Sequence, residues 1–305
     1  MDFSLNGDRL AVQEAIEKIA YDFTSVPTDF HDFALTNADL DERLTENGFW
    51  DIAVLPEMGP LSAALAVETL ARLPCTVEAP LSMLLNHLFD GALPRPIALV
   101  EDGRPGRFVH GAKTLIIRNG LKVGIAHPQA GDTEALPASL YAYPMGRVIG
   151  ELNIEWVSEE QAAAVTTWLR IALASEMAGL LKASVDAAVE HVSTRKQFGR
   201  PIGTFQALRH RLAECTVLAG GVRWLALQAA WSGDSGDAAL AALHAQESGS
   251  RIVYDVHQMC GAMGMTLEMN LHLWTYRVKY LLSELGGRAG NATSVADTCF
   301  EGLDA

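Results

Sequence analysis

Residues 195–206 read Arg195-Lys196-Gln197-Phe198-Gly199-Arg200-Pro201-Ile202-Gly203-Thr204-Phe205-Gln206. A long helical pattern ends just before this stretch and another begins just after it. Gly199 and Pro201 do not continue a helix comfortably, so the chain must turn here. The turn leaves Arg195, Gln197 and Phe198 at a helix end, where they can face outward together. Arginine offers a planar fork of donors that matches phosphate, and phenylalanine offers a flat face to a base ring. That combination suits a nucleotide. A plain corner between two helices, with solvated charges, uses the same residue types.

The surroundings narrow the choice. A chain of 305 residues with 49% hydrophobic content is long enough for two or three domains around a real core. The formal net charge of −14 disfavours nucleic acid and anionic membrane as main partners. Cys75, Cys215, Cys260 and Cys299 are far apart and form no C-x-x-C pair, which fits reduced structural thiols and a cytoplasmic location. Met1-Asp2-Phe3 has no basic leader character, and charges such as Arg170, Glu176 and Lys182 break the apolar runs before any could span a bilayer.

Periodicity divides the chain into three parts. Residues 1–94 read as helical: Ile16, Ile19 and Phe23 recur at helical spacing, Leu40 and Leu44 mark a second helix, Ser62–Leu73 a third, and Pro80 suits a first helical turn. Residues 95–157 read as a short antiparallel β-domain, with Lys113–Arg118 and Leu121–Ala126 joined at Asn119-Gly120 as a hairpin. Residues 158–305 read as a helical bundle opened by Ser158. Its four long helices are expected to end near Val192, over Phe205–Trp231, over Ala238–Cys260 and over Glu268–Leu285. The fold class is mainly α, formally α+β.

The 195–206 stretch resembles the signature of the acyl-CoA dehydrogenases, flavoenzymes that introduce a Cα–Cβ double bond into an acyl thioester. Further segments are similar to that family: Met1-Asp2-Phe3-Ser4-Leu5, the run Leu44–Gly59, Val67–Leu73, and the turn Gln258-Met259-Cys260-Gly261-Ala262-Met263-Gly264, which resembles a Q-x-x-G-G-x-G motif. The resemblance implies FAD as cofactor. It implies that Arg195, Gln197, Phe198 and Gln206 reach the adenosine diphosphate half of a neighbouring subunit's FAD, and that Gln258, Gly261, Ala262 and Gly264 receive its diphosphate. Glycine backbones can approach phosphate closely, although Ala262 replaces the second glycine. A glycine at a helix end also serves as an ordinary C-cap.

Three departures stand out. Met58-Gly59-Pro60 replaces a glycine-rich run. Nothing in the middle region matches the T-E-P-x-A-G-S-D segment that lies on the flavin in this family, and Asp132-Thr133-Glu134 is only superficially alike. Neither of the family's two positions for the catalytic glutamate is properly filled. The helix position falls on Leu169, with Glu176 about two turns beyond it. In the loop position Glu284 stands one residue early and reads as a surface carboxylate at a helix end. No metal-ligand spacing joins the histidines. The resemblance, especially to small subunits of heteromeric steroid side-chain enzymes, implies a non-catalytic chain. It would complete the FAD site of a catalytic sister in a heterotetramer, with an acyl-CoA substrate and an electron-transfer flavoprotein as candidate acceptor. A self-sufficient enzyme using Glu284 and a flavin-free scaffold are the alternatives.

Overall fold

A computed structural model of the chain describes residues 6–300, apart from 90, 92 and 138 and the side chains of 299 and 300. The similarity noted at Met1–Leu5 and the Cys299 thiol therefore lie outside the described residues. The first part contains α1 (Gly7–Tyr21), α2 (Ala38–Glu46), a 3-10 turn (Phe49–Val54), α3 (Gly59–Ala71) and α4 (Pro80–Leu85). Asn6 and Asn37 cap α1 and α2 by accepting from Arg9 N–H and Leu40 N–H. Pro80 stands in the first turn of α4, where its missing N–H has no helical partner to lose.

The middle contains β1 (Ile97–Glu101), β2 (Gly106–Arg107), β3 (Thr114–Asn119), β4 (Lys122–Ala126), β5 (Thr133–Ala135), β6 (Met145–Val148) and β7 (Glu155–Trp156). They form two sheets, ordered β1-β3-β4-β7 and β2-β6-β5. The expected all-antiparallel arrangement is corrected here: β1 and β3 run parallel, with Ile97 opposite Thr114. Residues 102–113 leave to place β2 in the other sheet, so the chain re-enters beside β1 in the same direction. The β3–β4 hairpin forms, but Asn119 pairs with Lys122, so its two-residue loop is Gly120-Leu121, one residue later than expected. Alternation along the strands divides the apolar side chains. Ile97, Leu99, Ile116 and Val123 join the main core, while Ala98, Val100, Leu115 and Ile117 form a second, small core.

The last part is built on α5 (Glu159–Thr194), capped by Ser158, which accepts from Gln161 N–H. Its 36 residues span about 54 Å, and most of its middle is buried all round, as suits a central helix. After it come β8 (Lys196–Gln197), β9 (Arg200–Pro201), α6 (Gln206–Ser232), α7 (Ser235–Cys260), α8 (His272–Leu281) and α9 (Gly287–Phe300). Helix α6 is antiparallel to α7: Arg211 lies 3.5 Å from Asp255 at one end, and Gln228 Nε2 donates to Asp237 at 2.9 Å at the other. The fourth long helix is shorter than expected. Leu285 adopts φ 56 and gives its N–H to the Glu101 carboxylate at 2.8 Å instead of to a helical carbonyl.

Candidate functional site

Two groups of residues need an account, and the first is at the end of the bundle. Helix α5 stops at Thr194, and Arg195 turns extended while its N–H still donates to His191 O. Gln197 pairs with Arg200, which leaves Phe198-Gly199 as a two-residue loop with φ 53 and 78. Both values are positive, as the tight hairpin turn that matches strand twist requires. For Phe198 that conformation is a strain that little packing offsets, because the side chain is 88% exposed; its ring meets the Phe205 ring edge-on at 6.1 Å. Arg195, Gln197 and Gln206 are also exposed, and Arg195 makes no ion pair among the described residues. The hairpin thus holds a strained, exposed aromatic beside an arginine that has no ion pair among the described residues.

The C-terminal end of α7 lies at the same end of the bundle, because α5 and α7 both run antiparallel to α6. Gln258, Gly261 and Ala262 are exposed there. Gly264 is not: it is buried, and a Cβ on it would meet the Cys260 side chain at 2.9 Å. Its role in the turn is close packing. No hydrogen bond or ring contact joins this turn to residues 195–198 among the described residues, so the two motifs are separate patches on one end. Gln258, Gly261 and Ala262 line a cavity of about 540 Å³ together with Tyr254, Tyr276 and Lys279. The last three were not singled out from the sequence.

The second group is buried between the β-strands and the bundle. Arg107, on β2, is 6% exposed and reaches two carboxylates. Its Nε donates to Glu284 Oε1 at 2.9 Å and a terminal nitrogen to Glu284 Oε2 at 3.3 Å, while the other terminal nitrogen donates to Glu176 Oε2. Tyr143 donates its hydroxyl to Glu176 Oε1 at 2.7 Å. Glu284 is 5% exposed, so its reading as a surface carboxylate is corrected. Glu176, on α5, is likewise not remote from Glu284, because one guanidinium holds both. Burial raises the Glu284 carboxyl to about 7, and the neighbouring Glu176 pushes the same way against Arg107. Burial works against the Arg107 charge, but the two glutamates hold the guanidinium protonated, well above its ordinary value. Leu169 is buried in α5 and carries no functional group.

Space around this network is small. The cavity touching Glu284 is about 60 Å³ and the one touching Glu176 about 10 Å³. Sequence reasoning missed Arg107, which lies 177 residues from Glu284 and carries no local signal. The Glu284 backbone is also fixed, since Gln246 Nε2 donates to the carbonyls of Leu281 and Glu284 at 2.9 and 3.0 Å. Among the described residues no group of three metal-ligating side chains stands together, and no helix is long and apolar enough to cross a membrane.

Residues 160–289 match the family described as "Acyl-CoA dehydrogenase, C-terminal domain". Among curated relatives, the chain is 34% identical over 122 residues to a 3-(aryl)acrylate reductase of Clostridium sporogenes, covering 38% of this chain and 32% of that protein. It is 36% identical over 107 residues to acyl-CoA dehydrogenase IpdE2 of Mycobacterium tuberculosis, covering 35% and 34%. The chain thus matches about a third of the length of these relatives. Solved structures align along nearly all of it. A Tcur3481-Tcur3483 steroid ACAD variant gives a TM-score of 0.78 at 18% identity, covering 99% of this chain and 100% of that one. The ChsE4-ChsE5 complex from Mycobacterium tuberculosis gives 0.77 at 19% identity, covering 98% and 99%.

Proposed function

We propose that this chain, which has the acyl-CoA dehydrogenase fold and carries that family's C-terminal domain, is a non-catalytic subunit completing the FAD site of a catalytic sister. The whole assembly would dehydrogenate an acyl-CoA thioester between Cα and Cβ. The observation that carries this reading is the engagement of both candidate bases by Arg107. A catalytic carboxylate must be free to take the α-proton, and it needs room for the thioester beside it. Glu284 has neither: its two oxygens face one guanidinium, and about 60 Å³ is far below the few hundred Å³ of a ligand pocket. A carboxyl raised to about 7 favours the self-sufficient reading, but the bidentate contact opposes it.

The residues present fit one half of the cofactor. Arg195 offers its fork to the diphosphate, Gln197 and Phe198 lie to the adenine side, and Gln206 stands beside them at the start of α6. Gln258, Gly261 and Ala262 offer donors at the second patch, with Gly264 shaping the turn. Among the described residues nothing comparable surrounds Glu284 for a flavin ring. When bound, FAD supplies the acceptor for the β-hydride, and the sister supplies the base and the ring pocket. A steroid or sterol side-chain thioester is the proposed substrate class, supported by the steroid ACAD and the ChsE4-ChsE5 complex among the structural neighbours. An electron-transfer flavoprotein is the proposed acceptor, as the family resemblance implies.

The test is flavin content and turnover of the chain alone and co-expressed with a catalytic acyl-CoA dehydrogenase chain. Alone it should be colourless and inactive. In the assembly, Arg195→Ala removes a charge-assisted bidentate contact of about 1.5–3 kcal/mol, which is roughly ten- to hundredfold in FAD affinity. That assembly should lose flavin on dilution and recover with added FAD, and Arg195→Lys should rescue only part. A yellow, active homo-oligomer of this chain would sink the proposal.

A further inference from the structure

Helices α1, α3, α5 and α6 leave between them a cavity of about 340 Å³. None of the residues of the two flavin patches or of the Arg107 network lines it. Most of its charge is balanced within its own wall. Glu68 accepts from Arg223 Nε at 2.9 and 3.0 Å, and Lys182 Nζ donates to Asp186 Oδ1 at 2.6 Å. Those pairs leave one charge of each sign, Glu17 on α1 and Arg72 at the end of α3. Among the described residues no ion pair joins Glu17 to Arg72 or either of them to another group, and the Arg72 guanidinium donates no hydrogen bond.

One glutamine brings these two charges to the same rim. Gln13 Nε2 donates to Glu17 Oε1 at 3.0 Å and to Thr69 Oγ1 at 2.8 Å, which ties α1 to α3. Arg72 follows Thr69 by three residues and keeps helical angles, so it stands on the same face of α3. Glu17, Thr69 and Arg72 also border an adjoining cavity of about 530 Å³, so the charged rim stands between two open spaces. Behind the rim the wall is aliphatic: Leu65 from α3, Val185 and Val189 from α5, and Ala219 from α6. Gly220 completes it, and the direction of its missing Cβ is open space. A guanidinium fork, a carboxylate close by and an aliphatic wall call for a ligand with both charges on one end and an apolar body.

We propose that this cavity binds the zwitterion of an aliphatic α-amino acid, with the carboxylate on the Arg72 fork, the ammonium on Glu17 and the side chain against Leu65, Val185 and Ala219. A simple carboxylate would sit beside Glu17 with like charges uncompensated, and a simple amine would do the same beside Arg72. The volume lies at the lower end of the usual range for small-molecule sites, which suits a ligand of this size. The site is separate from the flavin patches, so the fate of one assignment does not decide the other.

Isothermal titration of the purified full chain with L-leucine tests it. Leucine should bind. Isocaproate and isoamylamine, which keep the same branched chain but only one of the two charges, should bind at least about tenfold more weakly. Arg72→Gln and Glu17→Gln, both at exposed positions, should each weaken leucine about tenfold. Glu17→Gln should leave isocaproate unchanged or bound more tightly, a split that a merely structural glutamate would not produce. Gly220→Leu fills the open space with a good helix former and should abolish binding while far-UV dichroism stays that of the folded chain. Isocaproate binding as tightly as leucine, with no effect of Glu17→Gln, overturns the zwitterion assignment. No binding at millimolar leucine, or equal affinity in wild type and all three variants, overturns the site.

Discussion

Glu78 and Glu284 are carboxyl groups that the fold withdraws from water, and their protons follow. Burial raises each from an ordinary 4.5 to about 7. Glu78 accepts from Ser82 N–H and Ile97 N–H, at 3.2 and 3.1 Å, and so ties α4 to β1. Between pH 4.5 and about 7 the folded chain keeps protons that the unfolded chain releases, so stability falls as pH rises through that window. Glutamine mimics the protonated form and does not titrate. Glu78→Gln and Glu284→Gln should therefore each gain on wild type as pH rises, by up to about 1.4 kcal/mol per unit of displaced pKa, read from urea unfolding at a series of pH values. Wild type gaining on the variants instead would mean that the folded state prefers these groups ionised. At this scale the sequence was least legible. Phe198 could be placed at a turn from its glycine neighbour. Glu284 could not be placed in the interior, because its partner comes from a strand 177 residues away.

At the scale of the element, the crossing of α3 and α5 depends on a missing side chain. A Cβ on Gly179 would lie 2.2 Å from Glu68 O and 2.8 Å from the Ala71 Cβ. Gly220, also in a long helix, has open space where its Cβ would go. Alanine favours a helix over glycine by about 1 kcal/mol at either position. Gly220→Ala should therefore raise stability by up to that amount, while Gly179→Ala should lower it by about 1–3 kcal/mol as the two helices are forced apart. Equal effects in denaturant titrations would mean that the crossing is looser than these distances. Elements of this kind were largely legible. Ser158, Pro80 and the apolar spacing of α5 act locally, and their helices begin where expected. Errors arose where a tertiary partner takes a backbone group. The last expected helix stops early because Glu101 captures Leu285 N–H, and β1 lies parallel to β3 because residues between them serve a second sheet.

Across the whole molecule one apolar core runs from Ile16 to Leu285 and includes Ile97, Leu99 and Ile116 from the strands. Helices and strands sharing a core should melt together, as a single transition by calorimetry and by far-UV dichroism. Arg107 is the polar part of that junction. Arg107→Ala leaves two buried carboxylates without their cation, a loss of about 3–5 kcal/mol, and should split the transition or lower it sharply. Arg107→Met combined with Glu176→Gln and Glu284→Gln should recover much of the loss, since no charge is then stranded. A single unshifted transition in Arg107→Ala would show that the strands dock without this contact. The same three residues constrain how the protein can change by descent. A step that removes the arginine alone forfeits a large part of a total stability of about 5–15 kcal/mol. A step that removes one glutamate alone weakens the hold on both sides of the junction. A lineage carrying this triad therefore frees a carboxylate there only through a step that gives up about 3–5 kcal/mol of stability. The triad thus acts as a ratchet, and replacing the arginine together with one glutamate would release it at least cost.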